Sequence, residues 1–225
     1  MSQLEFCYWP VKFRAEYLRW MLAYLKQDFN DIHPVSHDEW GAMKSKFSSK
    51  NPLINLPYLY DPSTDKLVSE SVAISFALAL KYGGKQMLGN DGAEIIMHRS
   101  LQESVKVIRE FAIKCFDHTL PELKDAYEKT LKQRVIPKLK YMDHCKRNDY
   151  KFMLGYPTIV DFELAHVIQL LDFIALKTGM INPFTYSENL YQIAQNVLEL
   201  DGVKQYVQRT EDRIWMPDER CKFLN

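Results

Sequence analysis

The spacing of apolar and polar positions divides the chain into two stretches with different periods. Up to about residue 83, short strands alternate with helices. "LEFCYW" at 4–9 reads as a strand, and "RAEYLRWMLAYL" at 14–25 sets Ala15, Leu18, Leu22 and Leu25 on one helical face. "INLPYLY" and "KLV" predict two more strands, joined by "DPSTD", whose proline, serine and aspartates suit a hairpin loop. "ESVAISFALALKYGG" reads as a helix ended by Gly83 and Gly84, which enter the left-handed conformation without a Cβ clash.

From residue 91 onward the periods are long and helical, with no convincing strand. Pro137 within "LKQRVIPKLKYMDHCK" predicts a kink or a split, because it removes an internal hydrogen bond and crowds the preceding turn. In "PTIVDFELAHVIQLLDFIAL" the quartet Thr158 to Asp161 fits an N-terminal capping box, and the helix that follows is apolar nearly all round. That helix is expected to run through the centre of its domain, with Asp161 as a folding device. The expected class is α/β plus all-α: an α/β domain over 1–83, a linker over 84–90 and an all-helical domain over 91–225.

Composition narrows the function. Lys+Arg and Asp+Glu balance at 29 each, which argues against a nucleic-acid partner needing a basic face. The N-terminus enters strand-like alternation at once, with no signal-peptide pattern, and no apolar run is long enough for membrane insertion. A soluble cytoplasmic protein is expected. Cys7, Cys115, Cys145 and Cys221 show no paired spacing, so reduced thiols are expected, and no metal site is assigned.

One segment raises a chemical question. In "INLPYLYDPSTDKLVSESVAI", Pro57 precedes three strand residues although proline cannot donate to a ladder, and "SES" stands where a strand gives way to a helix. "YW" at 8 and 9, "RAE" at 14–16, "WGAMK" at 40–44, "NLPYLYD", "SESVAI" and "TIVDF" follow one another in an order that resembles the cytosolic glutathione transferase superfamily. The resemblance covers essentially the whole chain. "YWPVKFRAEYLRWMLAYL" is most similar to the tyrosine-type mu and sigma classes.

The resemblance implies a thioredoxin-like first domain that binds glutathione as co-substrate, and a cytoplasmic detoxification enzyme that forms two-fold homodimers. It implies a cis Leu56–Pro57 bond leaving the Leu56 backbone to pair with the cysteinyl unit, beside Asn55. Glu70 and Ser71 would hold the γ-glutamyl end at a helix N-terminus. Trp9, Trp40 and Lys44 complete the glutathione set, the last two for the glycyl carboxylate. Catalysis falls to Tyr8, whose phenol would stabilise the sulfur as thiolate, with Arg14 nearby; a free thiol has a pKa near ~8.5 and is mostly protonated at neutral pH. Pro10, Val11, Phe116 and Trp215 are candidate walls for a small hydrophobic electrophile in a cleft between the domains. Two features depart from the family pattern: Phe13 replaces a common glycine, and Val105, Lys106 or Val107 stands where mu and sigma enzymes carry an aspartate that crosses the dimer. A glutathione-dependent isomerase or peroxidase, and a structural subunit of a larger assembly, are the alternative readings.

Overall fold

A computed structural model of the chain describes residues 3–147 and 149–224. By packing, these divide into two units, Met1–Gly84 with Asp201–Ile214, and Lys85–Leu200 with Trp215–Asn225.

The first unit opens with β1 (Leu4–Cys7), α1 (Glu16–Tyr24) and β2 (Phe29–Ile32), followed by α2 (His37–Phe47), β3 (Tyr58–Asp61), β4 (Lys66–Ser69) and α3 (Ser71–Leu78). The sheet order is β2-β1-β3-β4. β1 is parallel to β2 and antiparallel to β3, and β4 returns antiparallel to β3, which is the thioredoxin-like arrangement. The predicted strands are present with shifted ends: β1 stops before Tyr8, β3 begins only after Pro57, and β4 extends one residue past its pattern to Ser69. β2 had no expectation attached to it. Its sequence, Phe-Asn-Asp-Ile, puts two polar residues at a sheet edge, where burial on both faces is not required.

α1 is buried from Glu16 through Leu22, not along one stripe only, so Glu16 and Arg19 lie inside with Leu18 and Trp20. α3 runs on through a wider turn, Ala79–Gly83, and Gly84 closes it at φ +73°.

In the second unit, α4 (Gly92–Phe116) leads to α5 (Leu120–Thr130) and α6 (Ile136–Cys145), then α7 (Ile159–Thr178) and α8 (Glu188–Leu198). Asp91 caps α4 by accepting from the N–H groups of Ala93 and Glu94 at 2.8 and 2.9 Å. The split expected at Pro137 occurs as a wide turn over Leu131–Val135, which leaves the proline in the first turn of α6, where its missing N–H costs nothing. α7 is buried along most of its length and packs on α4 and α8. Its capping box is formed as expected: Asp161 Oδ2 accepts from the Thr158 N–H and hydroxyl at 2.8 and 2.7 Å, and Oδ1 accepts from the Met153 N–H at 2.8 Å. Burial pushes the Asp161 carboxyl up to about 6 against those hydrogen bonds.

The sequence division, which ran the helical domain unbroken to 225, carried no signal for residues 201–214. This segment bears α9 (Val203–Arg209) and packs on α1 in the first unit. Gly202 permits the approach, since a Cβ there would lie 2.3 Å from the Ala23 carbonyl oxygen and its φ is +81°.

Candidate functional site

Register lines up the strand ends. Ile32 pairs with Cys7, Cys7 with Tyr58, and Tyr58 with Ser69, so one row of residues crosses the whole sheet. The residues next along the four strands, His33, Tyr8, Pro57 and Glu70, therefore stand beyond the same end of the sheet. At a strand spacing of about 4.8 Å, Tyr8 and Glu70 are about 10 Å apart. That is also about the length of an extended tripeptide.

The Leu56–Pro57 bond is cis, as the resemblance implied. The Leu56 N–H, expected to be open, is accepted instead by the side chain of the exposed Asn55 at 2.9 Å. A peptide pairing there has to displace that surface amide, which costs little because Asn55 is free to turn into solvent. Glu70 precedes α3 at φ +72°, a left-handed conformation uncommon for a residue with a side chain. The N-cap residue of α3, Glu70, makes no side-chain capping hydrogen bond among the described residues. Ser36, Asp91, Thr119 and Thr158 cap other helices, so here the first-turn N–H groups and the positive end of the dipole remain open to an anion. Ser69 does not serve as a cap, because its hydroxyl accepts from Asn51 at 3.0 Å. Ser71 opens the helix half-buried.

α2 flanks this end of the sheet. Trp40 stacks on Tyr58 at 6.3 Å, Phe47 packs on the same ring at 5.3 Å, and Lys44 follows Trp40 by one turn with its ammonium exposed. Trp9 meets His37, the first residue of α2, at 5.5 Å.

Tyr8 is half-buried. Its Oη accepts from the Arg14 backbone N–H at 3.0 Å, and no acceptor among the described residues takes the phenolic proton. Burial raises its pKa, opposed by the Arg14 N–H and the charges of Arg14 and Arg19, so at neutral pH the group is a hydrogen-bond donor. The Arg14 guanidinium lies over the Phe13 ring at 5.6 Å. Cys7, next to Tyr8 on the alternating strand, is fully buried with its thiol pushed up to about 11 by burial.

The wall candidates separate. Pro10 is exposed, but Val11 is buried with its carbonyl held by Arg19 at 3.2 Å, so it supports the loop from beneath. In the second unit Phe116 is buried against Phe223 at 5.5 Å, a core position, and Trp215 lies against His166 and Phe173. No group of three or more His, Cys, Asp or Glu side chains able to hold a metal occurs among the described residues. No helix among them is long and apolar enough to cross a membrane.

Four residues around the site carry no signal in the sequence motifs: Arg19, Asp31, His33 and Arg213. Arg19 bridges Glu16 at 3.1 Å and Asp31 at 3.0 Å, and Arg213 bridges the same two carboxylates at 3.1 and 2.8 Å. Burial alone would raise the Asp31 pKa, but the neighbouring His33 and the two arginines outweigh it and hold the carboxyl below its usual range. His33 contacts the Tyr8 carbonyl oxygen through Nδ1 at 3.0 Å. An arginine in the middle of an apolar helix was the one available signal. Arg213 had none, being 182 residues from Asp31.

Residues 4–79 match the family model for the glutathione S-transferase N-terminal domain. A glutathione S-transferase of Dermatophagoides pteronyssinus is 25% identical over 222 residues, covering 95% of this chain and 94% of its own. Glutathione S-transferase S1 of Drosophila melanogaster is 26% identical over 207 residues, covering 90% and 76%. Among solved structures, the Pi-class glutathione S-transferase of Onchocerca volvulus superposes with a TM-score of 0.71 at 19% identity, over 94% of this chain and 95% of that one. The first unit thus carries the glutathione S-transferase N-terminal domain, and the chain is similar along its length to glutathione S-transferases and shares their two-part fold.

Proposed function

We propose that this protein is a tyrosine-type glutathione transferase that joins the glutathione thiolate to small hydrophobic electrophiles. The observation that carries the reading is the Tyr8 hydroxyl, oriented by the Arg14 N–H at the end of the sheet it shares with Pro57 and Glu70.

In this reading the cysteinyl unit lies along the Leu56 backbone and displaces Asn55. The γ-glutamyl carboxylate sits on the open N–H groups of α3 with the Ser71 hydroxyl, and Glu70 faces the amino group. Trp40 and Lys44 take the glycyl carboxylate, and Trp9 closes that side. The Tyr8 O–H donates to the sulfur and stabilises its charged form, while the fixed charge of Arg14 favours the same state. With a chlorinated nitrobenzene as electrophile, the thiol proton passes to solvent and the sulfur lone pair forms a carbon–sulfur bond. The carbon–chlorine bond then breaks with its electron pair leaving as chloride. Pro10 borders the sulfur from the loop after Tyr8. A two-fold homodimer in the cytoplasm belongs to the same reading.

Asn55 on the Leu56 N–H, together with the missing cross-dimer aspartate, favours a second reading: a weakly catalytic or structural member of the family. Retention on immobilised glutathione, followed by a conjugation assay of native protein and Tyr8→Phe, separates the two. Retention with activity that collapses in the variant supports the transferase, and absence of retention supports the structural member.

A further inference from the structure

The loop that carries Tyr8 is fastened from beneath by charged groups. Arg19 and Arg213 close a ring with Glu16 and Asp31, in which Arg19 is 0% and Glu16 1% exposed. Both Asp31 oxygens are taken, Oδ1 by Arg19 and Oδ2 by Arg213. Arg19 also donates to the carbonyl oxygens of Val11 at 3.2 Å and Trp9 at 3.5 Å. A further contact to the loop is His33, whose two ring nitrogens face different partners.

Nδ1 lies 3.0 Å from the Tyr8 carbonyl oxygen, which can only accept, so Nδ1 carries a proton whatever the charge of the ring. Nε2 lies 3.4 Å from Arg213 Nη2, which can only donate, and 3.4 Å from Asp31 Oδ2, which can only accept. Because Arg213 already occupies that Asp31 oxygen at 2.8 Å, the neutral ring turns its lone pair to Arg213 and keeps its proton on Nδ1. Without Arg213, the free Asp31 oxygen competes for a proton on Nε2, and a neutral ring that answers it loses the donor to Tyr8.

We infer that His33 and Arg213 are positioning residues for Tyr8: Arg213 fixes the proton on Nδ1 of His33, and that proton holds the Tyr8 main chain at the end of β1. The inference rests on the reading of Tyr8 as the group that stabilises the thiolate. It assigns a task in the first unit to the segment after α9, which is otherwise remote in sequence.

The test compares three replacements at His33 and one at Arg213. Asparagine places an N–H close to the position of Nδ1, glutamine places its polar group closer to Nε2, and leucine supplies neither. We expect His33→Asn to keep kcat within about threefold. His33→Gln, His33→Leu and Arg213→Met lose about 10-fold or more, below the hundredfold that a displacement of about 1 Å costs. The loss is expected in kcat with the KM for glutathione nearly constant, and with the alkaline shift of the pH–rate profile that a displaced phenol produces. Nitrogen-15 spectra of the imidazole read the proton position directly: Nδ1–H in the native protein, and a mixture of tautomers in Arg213→Met. Equal activities for His33→Asn and His33→Gln in an enzyme that depends on Tyr8 overturn this inference alone, as does an unchanged tautomer in Arg213→Met. A conjugation rate that Tyr8→Phe leaves unaltered overturns the tyrosine reading and this one with it.

Discussion

The main-chain N–H of Arg14, not its guanidinium, donates to the Tyr8 hydroxyl oxygen, at 3.0 Å. The contact uses an acceptor lobe of the phenol and leaves its proton free to donate elsewhere, as the proposed contact to a sulfur requires. It also separates two roles of residue 14. Its backbone orients, and its side chain supplies charge.

The separation can be measured. Arg14→Ala keeps the N–H and loses an exposed charge and its place over the Phe13 ring, so kcat/KM should fall about threefold, the scale of ~0.7 kcal/mol expected of a solvent-screened interaction. Steady-state kinetics on the diagnostic electrophile check this. A loss as large as that of Tyr8→Phe would move the catalytic weight to the guanidinium.

Ser71→Ala should act on binding. Removing a hydroxyl that donates to a carboxylate costs about 1.5 kcal/mol, close to 10-fold in the KM for glutathione, with kcat changed less than about twofold. Calorimetric titration with glutathione gives the same quantity without turnover.

Arg19→Met tests the charged ring under the loop. The variant leaves Glu16 buried with one cation in place of two, and strips the carbonyls of Trp9 and Val11 of their donor. Breaking a buried ion pair from one side costs about 3–5 kcal/mol, which urea unfolding resolves. A loss below about 1 kcal/mol would mean that the ring contributes little to holding the fold.

His98 predicts an acid limb of stability. It is 2% exposed, and burial, with the charge of Arg99, lowers its pKa to about 4. The unfolded chain binds that proton near ~6.5, so the unfolded state holds more protons between the two values, and stability falls as pH drops from about 6.5 toward 4, by up to about 3 kcal/mol. Asp161 runs the opposite way: its carboxyl, raised to about 6, loses stability as pH climbs from about 4 to 6. The His98 contribution is therefore the difference between native protein and His98→Gln across that range, and the variant should lose that acid limb while keeping the opposite slope of Asp161.

Much of the site was legible because its parts are local. Pro57 and Ser71 belong to short motifs, and Tyr8 is placed by the end of a strand pattern. The structure adds what register alone can supply, namely that Tyr8, Pro57 and Glu70 stand beyond the same row of the sheet. β2 escaped because Asn30 and Asp31 interrupt its alternation at an edge. Val11 and Phe116 were read as walls from the family resemblance and from their places along the chain, but an apolar side chain near a site is equally suited to the packing beneath it, and both are buried. Arg213 escaped because ion pairing across 182 residues leaves no trace in periodicity.

The most direct measurement is the ionisation of glutathione bound to the protein, followed through the ultraviolet absorbance of the thiolate as pH is raised, for the native chain and for Tyr8→Phe. A bound thiol that ionises well below ~8.5 in the native protein, and returns to about that value in the variant while remaining bound, is the result expected if the phenol stabilises the sulfur. Identical titrations for the two proteins would contradict it.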